Sequence, residues 1–574
     1  MRFLTSITCF LLISACSEQS QIVLDQNEIR QRENNDDLKS LSEEFSENIY
    51  QPHEDIVVAV GYGLANSILI IGEDENFVID TMGGMETAER ILNDFASYSD
   101  NPVTTIAYTH FHADHTLGAQ VFLDRYPNLD VISHETTIEE FQKFFGIKRD
   151  IIGARSGKMF GLILQNKDKA ESNGIGIKLE AGIDTPGYVR PNITFHETLS
   201  MQISGKRVDF YHAPGETDDQ LFVWIDEMKA LFPGDNIYKA FPNVYTIRGT
   251  SYRSFRSWYK SIEKMMSLEP EILVPSHGKP ILGKEKIQNI LGTYRDAIKY
   301  VHDQTMRYLN MGFSPTDASQ MVRLPDNLNT DPYLFELYGT VEWSSRNLFN
   351  GYFGWFDGNP TNLYPFKESE LNRRILELVS IDKIEEELQK AMNEEDYQWA
   401  LYLSDIAEAN NLDKNEYIEV KAQALKMLGS KAYNPNAISF YNSSAAEMTG
   451  ELADVALIGD DDAKEHQLHQ LNIDMFLDVM ATRLDPSKVD GQKLDSLVYF
   501  KDLDQMWKLS INNSVFTYKV INDDQKTDIN MDSIAFKKLV SGSLNPIADI
   551  LLTNQNADGE RKKEFLEFMA IFRE

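Results

Sequence analysis

Three imidazoles and a carboxylate fall within six consecutive residues, His110-Phe111-His112-Ala113-Asp114-His115. They follow directly on the β-rich run Thr104-Thr105-Ile106-Ala107-Tyr108-Thr109. The chain of 574 residues has 11 histidines, so three here is a concentration and not background. Histidines at i and i+2 can converge on one cation, and the Asp114-His115 pair past a bend can reach a second. Nitrogen ligands with hard carboxylates suit zinc, or iron or manganese. The loop leaves a strand, where a rigid scaffold commonly carries functional residues.

The flanking chain reads as such a scaffold. Ile56–Val60, Ser67–Ile71 and Asn76–Asp80 are short β-rich runs split by glycines, and Thr87–Ser97 has the spacing of an amphipathic helix. Alternation of this kind continues to about Leu282 and predicts an α/β layered domain. From Lys284 the pattern turns helical over 284–312 and 368–425, with an aromatic-rich stretch, Tyr333–Phe366, between. Within it, Trp343 to Trp355 suits a core or a helix–helix interface. Asn434–Ser444 and the acidic Gly459–Asp462 suit a boundary. A helix then starts at Met475–Met480, whose apolar side chains suit either a core or an alkyl-lined tunnel. Strands are expected at 497–500, 507–511 and 514–520, the last two joined by a turn at Asn512-Asn513. At roughly 150 residues per domain the length allows three or four domains. The reading gives a catalytic domain at 47–283, a helical domain at 284–430 and an α+β domain at 431–574.

Lys and Arg number 55 against 89 Asp and Glu, a net charge of −34. That balance argues against a nucleic-acid partner, which calls for a basic face. It leaves an anionic small molecule open, since metal ions invert the local field. The two cysteines, Cys9 and Cys16, both stand near the N-terminus and cannot build a disulfide framework. Met1-Arg2, an apolar Phe3–Ile13 too short to span a bilayer, and Ile13-Ser14-Ala15-Cys16 resemble a bacterial lipoprotein signal. The resemblance implies a signal peptide at 1–15 and lipid on Cys16. It also implies a membrane-anchored protein exposed on the periplasmic side or the cell surface. Residues 16–46, rich in Gln, Asn, Asp and Glu, read as a flexible tether.

The cluster resembles the HxHxDH signature of the metallo-β-lactamase superfamily, whose fold is an αββα sandwich with two metals at one sheet edge. Three further segments match in order: Ala213-Pro214-Gly215-Glu216-Thr217, Phe232-Pro233-Gly234-Asp235-Asn236 and Val274-Pro275-Ser276-His277-Gly278. Glu216 stands where the superfamily commonly has a histidine. In this, and in Asn243-Val244-Tyr245-Thr246-Ile247-Arg248-Gly249 and Gly354-Trp355-Phe356-Asp357-Gly358-Asn359-Pro360, the chain is similar to alkylsulfatases of this fold. Tyr338-Gly339-Thr340-Val341 and the domain order fit as well: metal domain, helical dimerisation domain, then a sterol-carrier-protein-like domain opening near Arg483-Leu484-Asp485-Pro486. Two departures bear on the substrate. The glutamate after Gly215 is shifted by one position from the family's Gly-Thr-Glu. Asp235-Asn236-Ile237-Tyr238-Lys239 lacks the family's threonine-histidine pair.

The resemblance implies two zinc ions, the first on His110, His112 and Glu216, the second on Asp114, His115 and His277, with Asp235 between them. It implies hydrolysis of an alkyl sulfate by activated water and a homodimer. Asp114, Asp235 and Arg248 are the catalytic candidates. Arg248 is the best group to grip the sulfate, because a guanidinium fork matches a tetrahedral oxyanion; Asn243 and Tyr245 are further substrate-binding candidates. Lys239 and Tyr238 are weaker ones, and Asp219 is the fallback ligand. Asp80 is expected to brace the metal loop from behind. His134 reads as structural, His212 as structural or supporting a ligand, and His196 as exposed. The alternatives are a dimetal hydrolase of carboxylic or phosphoric esters, and a lipid-binding lipoprotein without catalysis.

Overall fold

The computed structural model describes residues 36–180, 184–409, 414–453, 468–521, 527–541 and 559–572. The expected signal segment 1–15, residues 16–35 of the tether and the acidic cluster at 459–462 lie outside them.

Two sheets carry the catalytic part. The first is β1 (Asn48–His53), β2 (Ile56–Val60), β3 (Ser67–Ile71), β4 (Asn76–Ile79), β5 (Val103–Ala107), β6 (Asp130–His134) and β7 (Ile193–Phe195), in that order. Its neighbours are antiparallel from β1 to β4 and parallel from β4 to β7. The second, in the order β13-β12-β11-β10-β9-β8, has β8 (Thr198–Ile203), β9 (Lys206–His212), β10 (Leu221–Ile225), β11 (Ala230–Phe232), β12 (Ile272–Leu273) and β13 (Ile281–Leu282).

Strand parity makes the layers. Ile56, Val58 and Val60 point at the facing sheet, where Leu221, Val223 and Ile225 meet them. Their alternates Val57 and Ala59 face the helix Met85–Phe95, and Phe222 and Trp224 face the helices Phe255–Ser267 and Lys284–Asn310. Because side chains alternate along a strand, a run buried on both faces must lie between a sheet and a helix layer. The result is an α/β, four-layer αββα sandwich.

The helix Lys284–Asn310 therefore forms an outer layer of the sandwich, with Ile287, Leu291, Tyr294 and Ile298 in the same cluster as Trp224. The expected helical domain from 284 begins later, and the physical reason is this apolar stripe. Its own core comes from the helices Ile381–Asn393, Tyr397–Glu408 and Lys414–Lys431, around Leu388, Ala400, Leu403 and Leu428. The expected end at 430 moves too. Asn434 caps the helix Pro435–Thr449 by accepting from Asn436 N and Ala437 N, so this asparagine cluster starts a helix and is no boundary. Asn442 and Ser443 of that helix donate to the carbonyls of Asp168 and Lys158 in the catalytic part.

The tether reading fails over its last residues. Asp36–Glu43 is a helix, and Leu38, Leu41 and Phe45 are buried against Tyr238, Leu337 and Tyr433. Three apolar side chains at roughly 1.5–3 kcal/mol each offset the ordering of a polar-rich segment. The C-terminal α+β domain has β14 (Leu494–Phe500), β15 (Gln505–Asn512), β16 (Val515–Ile521) and β17 (Ile529–Met531), in the order β16-β15-β14-β17. Its hairpin pairs Asn512 with Val515, so the turn residues are Asn513 and Ser514, at φ 53° and 58°, one position later than expected. In the helix Ile473–Arg483, Met475, Phe476, Leu477 and Met480 are core side chains packed with Phe500 and Phe536.

Candidate metal centre

Four loops meet at one edge of the sandwich: those after β5, β9, β11 and β12. They bring seven side chains together. His110, His112, Glu216 and Asp235 offer ligand atoms within 4.8 Å of one another, and so do Asp114, His115 and His277. His112 stands as N-cap of the one-turn helix Ala113–Thr116, which turns Asp114 and His115 back toward the centre.

Asp235 reaches both groups. His110 Nε2 is 3.7 Å from its Oδ2, while His115 Nε2 and His277 Nε2 are 3.5 and 3.2 Å from its Oδ1. His115 Nε2 and His277 Nε2 also lie 3.4 and 3.7 Å from Asp114 Oδ2. Asp114 is the most open of the seven, with its side chain 19% exposed.

The donor set fits metal ions. His115 Nε2, Glu216 Oε2 and Asp235 Oδ1 are buried polar atoms without a hydrogen-bond partner, and each points into the cluster. Such atoms carry a desolvation cost unless something satisfies them. His110 Nε2 and His112 Nδ1 face each other at 2.7 Å, an arrangement that a shared cation suits. Supporting bonds set the tautomers. His115 Nδ1 donates to Asp80 Oδ2 at 2.7 Å and His277 Nδ1 donates to the Leu64 carbonyl at 2.8 Å, which leaves both Nε2 lone pairs facing inward.

Asp80 braces the loop as the sequence suggested. Its carboxylate accepts from Thr109 N and Thr109 Oγ1, both at 2.8 Å, from His115, and from Ser276 Oγ at 3.1 Å. Its own backbone sits at φ 58°, a left-handed conformation held by these bonds. Two glycines are required by close approach. A Cβ on Gly215 would stand 1.9 Å from Asn236 Oδ1, and one on Gly234, at φ +61°, 2.0 Å from Gln220 Nε2.

Protonation tendencies follow burial and charge. Burial holds His110 and His112 well below the usual imidazole range, the neutral form a ligand needs. Burial also disfavours charge on His115, but Asp235, Asp114 and Asp80 outweigh it and raise the imidazole. Burial pushes Glu216 up to about 8, against the pull of Arg253. Asp235 is likewise buried, yet the imidazoles of His277, His115 and His110 hold it well below the carboxylate range.

The other candidates sort clearly. Arg248 is buried; its Nη2 lies 3.0 Å from His112 Nε2 and its guanidinium covers the Phe144 ring at 4.9 Å. It lines a cavity of about 220 Å³ next to Glu216, with Phe111, Phe144 and Ile152. Asn243 and Tyr245 do not line that cavity. Asn243 is buried, its N–H donating to Tyr238 Oη, while Tyr245 is half-buried. Lys239 pairs with Glu44, just past the N-terminal helix. Asp219 is buried outside both ligand groups, its carboxyl raised to about 7 by burial. His134 stacks on His212 at 3.8 Å, and His196 is exposed and paired with Glu135.

Arg253 is the residue that sequence reasoning missed. It is buried, and its Nη1 donates to Glu216 Oε1 at 2.7 Å and to the Asn243 carbonyl at 2.5 Å. The one available signal was a second arginine five positions after Arg248 in the same loop.

Three family models match the chain. The metallo-β-lactamase superfamily matches residues 60–277, alkyl sulfatase dimerisation matches 314–451, and the alkyl sulfatase C-terminal family matches 462–574. A linear primary-alkylsulfatase of a Pseudomonas strain is 32% identical over 497 residues, which is 84% of this chain and 94% of that protein. An (R)-specific secondary-alkylsulfatase of Pseudomonas sp. is 26% identical over 89% of this chain and 79% of its own length. Among solved structures, a stereoselective inverting sec-alkylsulfatase from Pseudomonas sp. superposes with a TM-score of 0.82 at 22% identity. It covers 92% of this chain and 84% of its own.

Proposed function

The chain belongs to the alkylsulfatase family, and from that premise we propose how it works as a metal-dependent hydrolase of alkyl sulfate esters. The carrying observation is the pair of convergent ligand groups sharing Asp235 beside a cavity that holds Arg248. His110, His112 and Glu216 would hold one metal ion, and Asp114, His115 and His277 the other, with Asp235 reaching both. The nitrogen and carboxylate set suits two zinc ions. When bound, such a pair supplies Lewis acidity and lowers the pKa of water toward about 7.

The chain's own residues do the rest. Arg248 would grip the sulfate. With His112 Nδ1 on a cation, the ring's proton sits on Nε2, so the contact with Arg248 sets donor against donor. The guanidinium then finds its best acceptor in an anion within the cavity. Phe111, Phe144 and Ile152 give the alkyl part an apolar wall and keep water from the ester carbon side. Arg253 and Asp80 hold Glu216 and His115 in position.

A homodimer is part of the same reading. Tyr352, Phe353, Trp355, Tyr364 and Phe366 are exposed within the region that matches alkyl sulfatase dimerisation, a patch that a second copy would cover. Export and lipid on Cys16 complete the proposal; labelled palmitate should enter the full-length protein and not Cys16→Ser. The central test is metal content together with sulfate release from alkyl sulfates of graded length, beside phosphate and carboxylic esters. About two equivalents of metal and release confined to sulfates are expected. A metal-free protein after careful handling, or activity confined to the other esters, would sink the reading.

A further inference from the structure

The cavity beside the metal centre carries more positive charge than one sulfate needs. Lys148 and the helix Arg149–Met159 supply one wall, with Ile151, Ile152 and Arg155 lining it. The chain has 89 acidic residues to choose partners from, yet Arg155 makes no hydrogen bond or ion pair with the described residues. Among the described residues, the Lys148 ammonium reaches only Ser251 Oγ, at 3.3 Å. Of the acids on the cavity, Glu216 is taken by Arg253 at 2.7 Å and Glu140 by Lys143 at 3.0 Å. Asp218 also lines the cavity, and its carboxylate makes no ion pair with Arg155, Lys148 or Arg248. Arg248, Arg155 and Lys148 therefore face the cavity without an ion-pair partner among the described residues.

Arg155 stands one step along the wall from the sulfate grip. A Cβ on Gly249, the residue after Arg248, would lie 3.9 Å from Arg155 Nη1 and 3.2 Å from Ile152 Cδ1. The space is also small: about 220 Å³, below the ~300–1,000 Å³ of pockets that enclose drug-sized ligands. A compact apolar stretch between two cationic ends fits a short chain that is anionic at both ends better than a long detergent tail.

We propose that Arg155, with Lys148, forms a second anion subsite. The preferred substrates are compact sulfate esters whose alkyl part carries a further anionic group, a carboxylate or a second sulfate. This rests on the reading of the cavity as the sulfate-ester site. The test compares kcat/KM for pentyl sulfate with that for the analogues ending in a carboxylate or in a second sulfate. A half-exposed ion pair is worth up to ~1 kcal/mol, or about fivefold. One of the two dianions should therefore be turned over about fivefold better, and the better one names the group. Arg155→Met should bring that ratio to about one, Arg155→Lys should keep part of it, and added salt should shrink it. Equal or better turnover of pentyl sulfate, or a ratio unchanged in Arg155→Met, would overturn the proposal. No sulfate release from any of the three would instead overturn the assignment of the cavity itself.

Discussion

The two ligand groups differ in what stands behind them. Asp114, His115 and His277 are backed by oxygen acceptors, the Asp80 carboxylate on His115 and the Leu64 carbonyl on His277. His112 and Glu216 are backed by guanidiniums, Arg248 and Arg253. An acceptor behind an imidazole raises its basicity toward a cation, whereas a cation behind a carboxylate draws charge away from it. The second group should thus bind its metal more tightly. The first group is the one electrostatically joined to the cavity proposed for the substrate, because both arginines line it.

The largest break in that comparison comes from the ligands themselves. Asp114→Ala should remove one metal of the two and lower turnover by roughly 10³–10⁴-fold. Metal analysis beside steady-state rates checks it, and retained turnover would show that the centre lies elsewhere. Next is the buried pair Arg253–Glu216. Above about pH 8, where the metal-free Glu216 is ionised, Arg253→Met leaves a carboxylate buried without its partner, which costs ~3–5 kcal/mol in the metal-free protein. Metal should restore much of that loss, because a dication then neutralises Glu216. Denaturant titrations with and without metal read the difference, and an equal loss in both states would refute a guanidinium-backed first group.

Asp80→Ala tests the other group. It should weaken one metal by about 10–100-fold under chelator competition and leave the other nearly unchanged. Equal weakening of both would erase the distinction drawn here. The smallest effect is on pH. Glu216 has its folded pKa raised to about 8, above the ordinary 4.5, so the folded metal-free protein binds a proton that the unfolded chain has released. Stability from this group is present below about pH 4.5 and is lost as pH rises through 8. The midpoint of metal-free unfolding should fall across that window, and Glu216→Gln should flatten the slope.

Much of this was legible in the residues, for local reasons. The ligand types, their order along the chain and the strands before them are properties of short segments, and the parity of Ile56–Val60 follows from strand geometry. The misreadings share a cause. Helix Asp36–Glu43 has a polar composition, and only Leu38 and Leu41, with Phe45 just beyond it, packed against Tyr238 and Tyr433 make it structure. Asn434 looked like a linker residue because capping a helix and breaking a chain use the same side chain.

The sequence by itself determined which donors stand at the sheet edge, that nitrogen and carboxylate ligands suit metal cations, and, through the segment Asn243–Gly249, that Arg248 is the guanidinium candidate for the sulfate. Only the tertiary structure decided what backs each donor. Arg253 against Glu216 is a contact between loops that meet because β9 and β11 end at the same edge. Asp80 against Ser276 spans 196 positions, and Arg155 comes to the cavity from a helix about a hundred residues before Arg248. A ligand's identity is carried by one residue, whereas its charge, tautomer and reach are set by neighbours that the chain delivers from far away.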